Sequence, residues 1–254
     1  MSSELALLLL APVIGSFLGV LILRLPAGRP IALARSSCDH CQTPLAARDL
    51  VPLVSYLVQR GRCRYCRGII DPMLPGVEFA AITVVLAAMV LRPDPTALWI
   101  DCLLGWTLLA LGWIDWQTMR LPDVLTLSLL LAGLCVTWLQ QPSAVPWHAG
   151  AAIVAYLAFQ GLALGYRRLR GREGLGAGDA KLLAAAGAWL GLEPLPWVVL
   201  LAACAGLLAA LGWALAGRRI GAATALPFGP WLALAFWLLW LIHAIPGGPG
   251  GGVA

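Results

Sequence analysis

Two groups of residues in this chain have types and spacings that can do chemistry. The first is a pair of CxxC knuckles, Cys38-Asp39-His40-Cys41 and Cys63-Arg64-Tyr65-Cys66. Four thiolates at paired CxxC spacing suit a closed tetrahedral zinc site, which is structural and not catalytic. The polar stretch around them is too short to bury much of a core, so a bound metal would supply folding free energy. His40 lies between two ligands and could compete for the metal; the simpler reading is an exposed side chain. Cys102, Cys135 and Cys204 fall inside apolar runs and read as small packing residues.

The second group is acidic. Asp115 lies in Trp113-Ile114-Asp115-Trp116, and Asp179 follows two glycines in Gly176-Ala177-Gly178-Asp179-Ala180-Lys181. Two carboxylates held close together cannot both ionise readily. One keeps a proton while the other activates water, which is the chemistry of an aspartic peptidase. Gly176 and Gly178 carry no Cβ and would let backbone and substrate approach closely. Each aspartate also has a plainer reading. Asp179, and Asp123 after Pro122, could be helix caps. Asp115 falls at a helix C-terminus, where the dipole disfavours negative charge, so a purely structural role suits it less. Lys181 either stabilises Asp179 or reaches for lipid headgroups.

These residues must be positioned by membrane helices. The chain has 254 residues, 61% of them hydrophobic and 11% charged. A soluble domain carries roughly 25% charged residues, so this chain cannot cover a water-facing surface. Apolar runs of membrane-spanning character are expected at 5–23, 74–91, 97–116, 123–140, 147–166, 179–192, 195–215 and 225–244. The sixth is short and rich in Gly and Ala. The expected fold is therefore an all-α polytopic membrane protein of about eight transmembrane helices. A small zinc-binding insertion follows the first.

Charge sets the expected orientation, because Lys and Arg gather in cytoplasmic loops. Arg24, Arg29, Arg35, Arg48, Arg60, Arg62, Arg64 and Arg67 lie in or beside the first loop. Arg120, Arg167, Arg168, Arg170, Arg172, Lys181, Arg218 and Arg219 fall on the same face, leaving only Arg92 on the other. Residues 25–73 and both aspartates are thus expected at the cytoplasmic face, with both termini outside. The first run has no basic residue before it and reads as a retained span, not a cleaved signal. The net charge of +5 follows from this topology and attraction to anionic lipid. Arginines scattered over short loops make no case for nucleic acid.

The motifs taken together are specific. Gly15-Ser16-Phe17-Leu18, Arg24-Leu25-Pro26, the two knuckles with Asp49-Leu50-Val51-Pro52-Leu53-Val54-Ser55-Tyr56 between them, Arg60-Gly61-Arg62-Cys63, Asp115 through Leu121-Pro122-Asp123, and Gly176-Ala177-Gly178-Asp179-Ala180-Lys181 stand in one order. Over residues 10–240 that order resembles bacterial prepilin peptidases, the type IV leader peptidases of the GxGD membrane aspartic peptidase class. The resemblance implies that Asp115 and Asp179 are catalytic, supported by Gly176, Gly178, Lys181 and Asp123. It implies a prepilin or pseudopilin substrate whose basic leader is cut after Gly at the cytoplasmic face of the inner membrane. It implies a second activity, N-methylation of the new terminus with S-adenosylmethionine, associated with the N-terminal cytoplasmic region. Glu78 is the candidate there. Gly19 stands where the family commonly has Asn, and the stretch around Met73 lacks a basic residue often found there. Both departures bear on methyl transfer and not on peptidase activity.

The layout expected is a first helix (1–24), a cytoplasmic four-cysteine region (25–73), a membrane peptidase region (74–244) and a flexible glycine-rich tail (245–254). Three rivals are weighed. A transporter with an aspartate proton relay would prefer mid-membrane carboxylates. A zinc-containing assembly scaffold leaves the glycine-rich Asp179 loop without purpose. Signal-peptide or presenilin-like proteases lack the paired CxxC loop.

Overall fold

The computed structural model describes residues 2–31, 36–92, 97–171, 176–217 and 226–243. The expected flexible tail lies outside the described residues, as do Arg35, Arg172, Arg218 and Arg219. The fold is helical: α1 (Ser2–Arg24), α2 (Val54–Val58), α3 (Met73–Leu91), α4 (Leu98–Thr118), α5 (Asp123–Gln140), α6 (Val145–Arg170), α7 (Ala177–Leu190), α8 (Leu195–Leu215) and α9 (Gly229–His243). Among the described residues there is no strand, only two isolated bridges. Among the described residues, six of the eight expected spans form helices long and apolar enough to cross a membrane. Two fall short: α7 with 14 residues and α9 with 15. At 1.5 Å per residue each spans about 21–22 Å, less than the roughly 30 Å of hydrocarbon.

The chain divides into two compact units, Met1–Trp106 and Thr107–Ala254. In the first, α1 packs on α3. A Cβ on Gly15 would lie 2.5 Å from the Glu78 backbone, and one on Gly19 would lie 2.9 Å from the Leu74 side chain. As the position rises along α1 its partner falls along α3, so the pair is antiparallel. Both ends of the insertion between them therefore sit at one end of the pair. The Gly19 contact also gives a physical reason for glycine there, since a longer side chain would displace Leu74. The first turns of α4 belong to this unit, with the Trp106 indole donating to the Ala81 carbonyl (2.9 Å). Asp101, fully buried, pairs with Arg92 at 2.7 Å. The one basic residue expected on the far face is thus held by a carboxylate.

In the second unit α7 lies at the centre, packed by α5, α6 and α9. Residues Asp179 to Trp189 of α7 are buried apart from Lys181. Ala180, Ala184, Ala185, Ala186, Gly187 and Ala188 keep that helix thin. Lipid tails are as apolar as leucine, so close packing through small residues, not water exclusion, holds membrane helices together. A helix enclosed by others need not match the bilayer thickness, which accounts for the short α7. Its far end is fixed by the Trp189 indole donating to the Leu129 carbonyl (2.8 Å).

Candidate functional site

Asp115 lies in the last turn of α4 and is 6% exposed. Its Oδ2 accepts the Gly229 amide at 3.0 Å. Gly229 is the first residue of α9, so the carboxylate caps the positive end of a second helix. The unfavourable dipole of its own helix is thereby offset, which only the packed structure reveals. The fit is close, because a Cβ on Gly229 would lie 2.6 Å from that same Oδ2.

Asp179 is 7% exposed and sits in the first turn of α7. Its Oδ2 accepts the Gly176 amide at 3.3 Å, and its own amide returns to the Gly176 carbonyl at 3.1 Å. The capping role weighed from the sequence is therefore present, and it takes one carboxylate oxygen. A Cβ on Gly178 would meet the Leu121 Cβ at 2.9 Å, so the glycine lets α7 close on the turn after α4. That turn is tight, with Met119 at φ +53°.

The two carboxylates lie near enough for the Asp115 charge to act on Asp179. Each uses Oδ2 on a backbone amide, and neither Oδ1 has a hydrogen-bond partner among the described residues. Two buried acids within reach of each other's charge cannot both ionise readily, so one can keep a proton while the other activates water. Lys181 does not touch Asp179; it pairs with Asp123 at the start of α5. Asp123 is exposed, so the pair ties α7 to α5 but adds little stability. Trp116 stacks edge-on with Trp213 and Trp231 at 5.5 and 6.4 Å. Gly229 and its neighbour Pro230 were not singled out from the sequence. The available signal was a Gly-Pro pair opening an apolar run, where proline suits the first helical turn.

In the first unit the four cysteines converge. Their sulfurs lie within 4.8 Å of one another, and Cys38 and Cys66 are 3.8 Å apart. A tetrahedron of Zn–S bonds of ~2.3 Å has edges of about 3.8 Å, so the donors fit that ion. Both knuckles fold alike. The Cys38 amide donates to the Thr43 carbonyl and Gln42 returns to Cys38; the Cys63 amide donates to Gly68 and Arg67 returns to Cys63. Gln42 and Arg67, each just after a knuckle, take positive φ of 57° and 62°. The Thr43 hydroxyl and amide draw the Cys41 thiol down to about 6, favouring the thiolate a metal requires. His40 is exposed, and its Nε2 bonds the Ile69 carbonyl at 3.1 Å.

Buried Asp49 braces the insertion. It accepts from Arg64 (2.8 Å), Gln59 (3.4 Å) and the Ala46 amide (3.3 Å). Burial raises its carboxyl, but Arg64 and the amide outweigh this and hold it below the usual carboxylate range. Glu78, in α3, is 8% exposed. It accepts the Leu53 amide at 2.7 Å and bonds Ser16. Leu53 is held at φ +59°, with Val54 bonded back to Pro52 at 2.6 Å. That is a γ-turn, a strained form that persists only where its surroundings enforce it. A cavity of about 570 Å³ opens beside these groups, its wall including Ser16, Arg24, Asp49, Tyr56, Asp71 and Glu78. The volume lies in the range of small-molecule sites.

Residues 9–92 match the family described as Bacterial Peptidase A24 N-terminal domain, and residues 102–211 match the Type IV leader peptidase family. A prepilin leader peptidase/N-methyltransferase of Burkholderia pseudomallei (strain 1026b) is 42% identical over 89% of this chain and 81% of its own length. Proteins of the same name from Aeromonas hydrophila and Dickeya chrysanthemi are each 39% identical. They cover 89% and 91% of this chain and 87% and 89% of their own lengths. No solved structure matches significantly. With two matching domains in sequence and such identity over most of its length, the chain belongs to the type IV leader peptidase family.

Proposed function

We propose that the protein is a membrane aspartic endopeptidase that removes the basic leader, after Gly, from prepilins or type II secretion pseudopilins. The observation that carries this reading is the pair Asp115 and Asp179. They are two buried carboxylates from different helices, within range of each other's charge, each anchored through one oxygen by a backbone amide. Anchoring leaves the other oxygen of each for water and for the scissile carbonyl. The two act as one coupled pair, so acid and base are not assigned to either alone. Gly176 anchors Asp179 through its amide and Gly178 leaves space for the Leu121 turn, while Lys181 and Asp123 tie α7 to α5 beside the pair. The apolar helix of the substrate would pack among the spans, with its leader in the cytoplasm. Arginine placement supports a cytoplasmic insertion and active site in an inner-membrane protein of about eight spans, α7 and α9 included.

The same reading assigns residues 25–73 to a four-cysteine region and 74–244 to the membrane peptidase region. Zinc would be held by Cys38, Cys41, Cys63 and Cys66, where it fixes the two knuckles and takes no part in cleavage. N-methylation of the new terminus belongs to the first unit, with Glu78 as the candidate residue. S-adenosylmethionine would supply a methyl group activated by a sulfonium cation. Asp71 and Glu78 would present negative charge to that cation, and Arg24 positive charge to its carboxylate. Glu78 already carries the Leu53 amide, so it shapes the cavity wall as well as its charge.

The test is mass spectrometry of a model prepilin incubated with purified protein and S-adenosylmethionine. Leader loss with a methyl gain is the expected result. Leader loss alone refutes the methyl-transfer assignment, and an intact precursor with folded protein refutes the peptidase.

A further inference from the structure

The segment between the two knuckles is built inside out. Leu50, Val51, Val54, Leu57 and Val58 are exposed, the last two at 71% each. Val54, Leu57 and Val58 share one face of α2, whose turns are closed by Ser55, Leu57 and Gln59 donating to the carbonyls four residues earlier, and Leu50 and Val51 precede it across the Leu53 turn. Ser55, Tyr56 and Gln59 turn the other way and line the cavity together with Asp49 and Leu50. A segment in water would show the reverse, apolar face inward.

Its place in the fold supplies the reason. Leu53, in the middle of the segment, donates its amide to Glu78, the sixth residue of membrane helix α3. Five residues along a helix rise about 7.5 Å, so the segment sits beside the end of a spanning helix and not above it. Gly61 accepts from Ile70, and Ile70 lies within about 10 Å of extended chain from the start of α3. Exposed arginines border the apolar face: Arg48 before it, and Arg60 and Arg62 after it. Arg62 is bridged to Ile69, which is 66% exposed and stands at the cavity wall. An apolar face rimmed by arginines, at the depth of a bilayer surface, matches an interfacial helix on anionic lipid.

We propose that Val51–Val58 lies in the membrane interface, with Val51, Val54, Leu57 and Val58 among the acyl chains and Arg48, Arg60 and Arg62 on anionic headgroups. The bilayer thereby forms the outer support of the cavity wall that Asp49, Ser55, Tyr56 and Gln59 line. This stands apart from the peptidase reading, since every residue in it belongs to the first unit.

The experiment is amide hydrogen exchange on the full-length protein in nanodiscs of phosphatidylcholine with and without phosphatidylglycerol. Arginines near an anionic surface strengthen membrane attachment, so exchange over residues 54–60 should slow by on the order of tenfold or more when phosphatidylglycerol is present. The V54Q/L57Q/V58Q and R48Q/R60Q/R62Q variants should lose that protection. Equal exchange in wild type and both variants would overturn the proposal. So would protection that arises only when a prepilin peptide is added, which would make the face a substrate contact. If a variant also loosens the knuckle peptides, the wild-type comparison between the two lipids decides alone, and no difference there overturns the proposal. Cleavage of a model prepilin by the same samples reports on the peptidase separately.

Discussion

Substituting Gly229 by alanine tests the site at a residue that does no chemistry itself. The new Cβ would lie 2.6 Å from Asp115 Oδ2 and 2.8 Å from its Cγ. Ordinary contact begins at 3.4 Å, so the carboxylate must retreat by about 0.8 Å. The retreat stretches the 3.0 Å bond from the Gly229 amide. A hydrogen bond to a charged group contributes about 1.5–3 kcal/mol, and misplacing a reacting group by about 1 Å can cost roughly a hundredfold. The expected effect of G229A is a fall in kcat of roughly 10- to 150-fold, with KM little changed because leader and helix contacts are untouched. The assay is steady-state cleavage of a model prepilin by purified protein, with melting as a check on folding. G212A, where a Cβ meets nothing within 4 Å, serves as the neutral control. A folded G229A protein with wild-type kcat would refute the argument that Asp115 is positioned by the α9 terminus.

Further outcomes follow from the same structure. D115N and D179N should each lower cleavage by roughly a thousandfold or more, with melting temperature held or raised because a buried like-charge pair is relieved; marked destabilisation of both would point to a structural role. G178A should lower activity by pushing the Leu121 turn off α7, since the Cβ atoms would meet at 2.9 Å, and wild-type cleavage would show that this close approach is unnecessary. Metal analysis should find one zinc per chain, and a strong chelator should speed amide exchange across both knuckles; unchanged exchange would count against a metal-supported fold. The depressed Asp49 carboxyl gives stability that is present above its unfolded pKa of about 3.9 and is lost as pH falls through the lower folded value. D49N should therefore destabilise the insertion near neutrality, with the difference shrinking on acidification; melting curves at several pH values would expose a constant difference.

The sequence by itself determined the helix positions, the four-cysteine group and the catalytic candidates. Length and hydropathy are local properties, so runs such as 123–140 and 195–215 agree with α5 and α8 to the residue. Paired CxxC spacing carries its own geometry, and the four sulfurs do converge. Asp115 and Asp179 stood out because ionisable groups near membrane helices are costly and few. Tertiary structure decided what holds those groups. Asp115 reads as misplaced at a helix C-terminus until α9 brings Gly229 to it from far along the chain. Lys181 reads as a stabiliser of Asp179 or a headgroup contact until packing sets it on Asp123. Glu78, a candidate by resemblance, finds its backbone partner only when the Leu53 turn settles against it, and the exposure of the apolar residues between the knuckles is set by the fold. The physical reason is common to all of these. A helix registers in the pattern of its own residues, whereas a hydrogen bond between distant segments depends on where close packing brings their backbones.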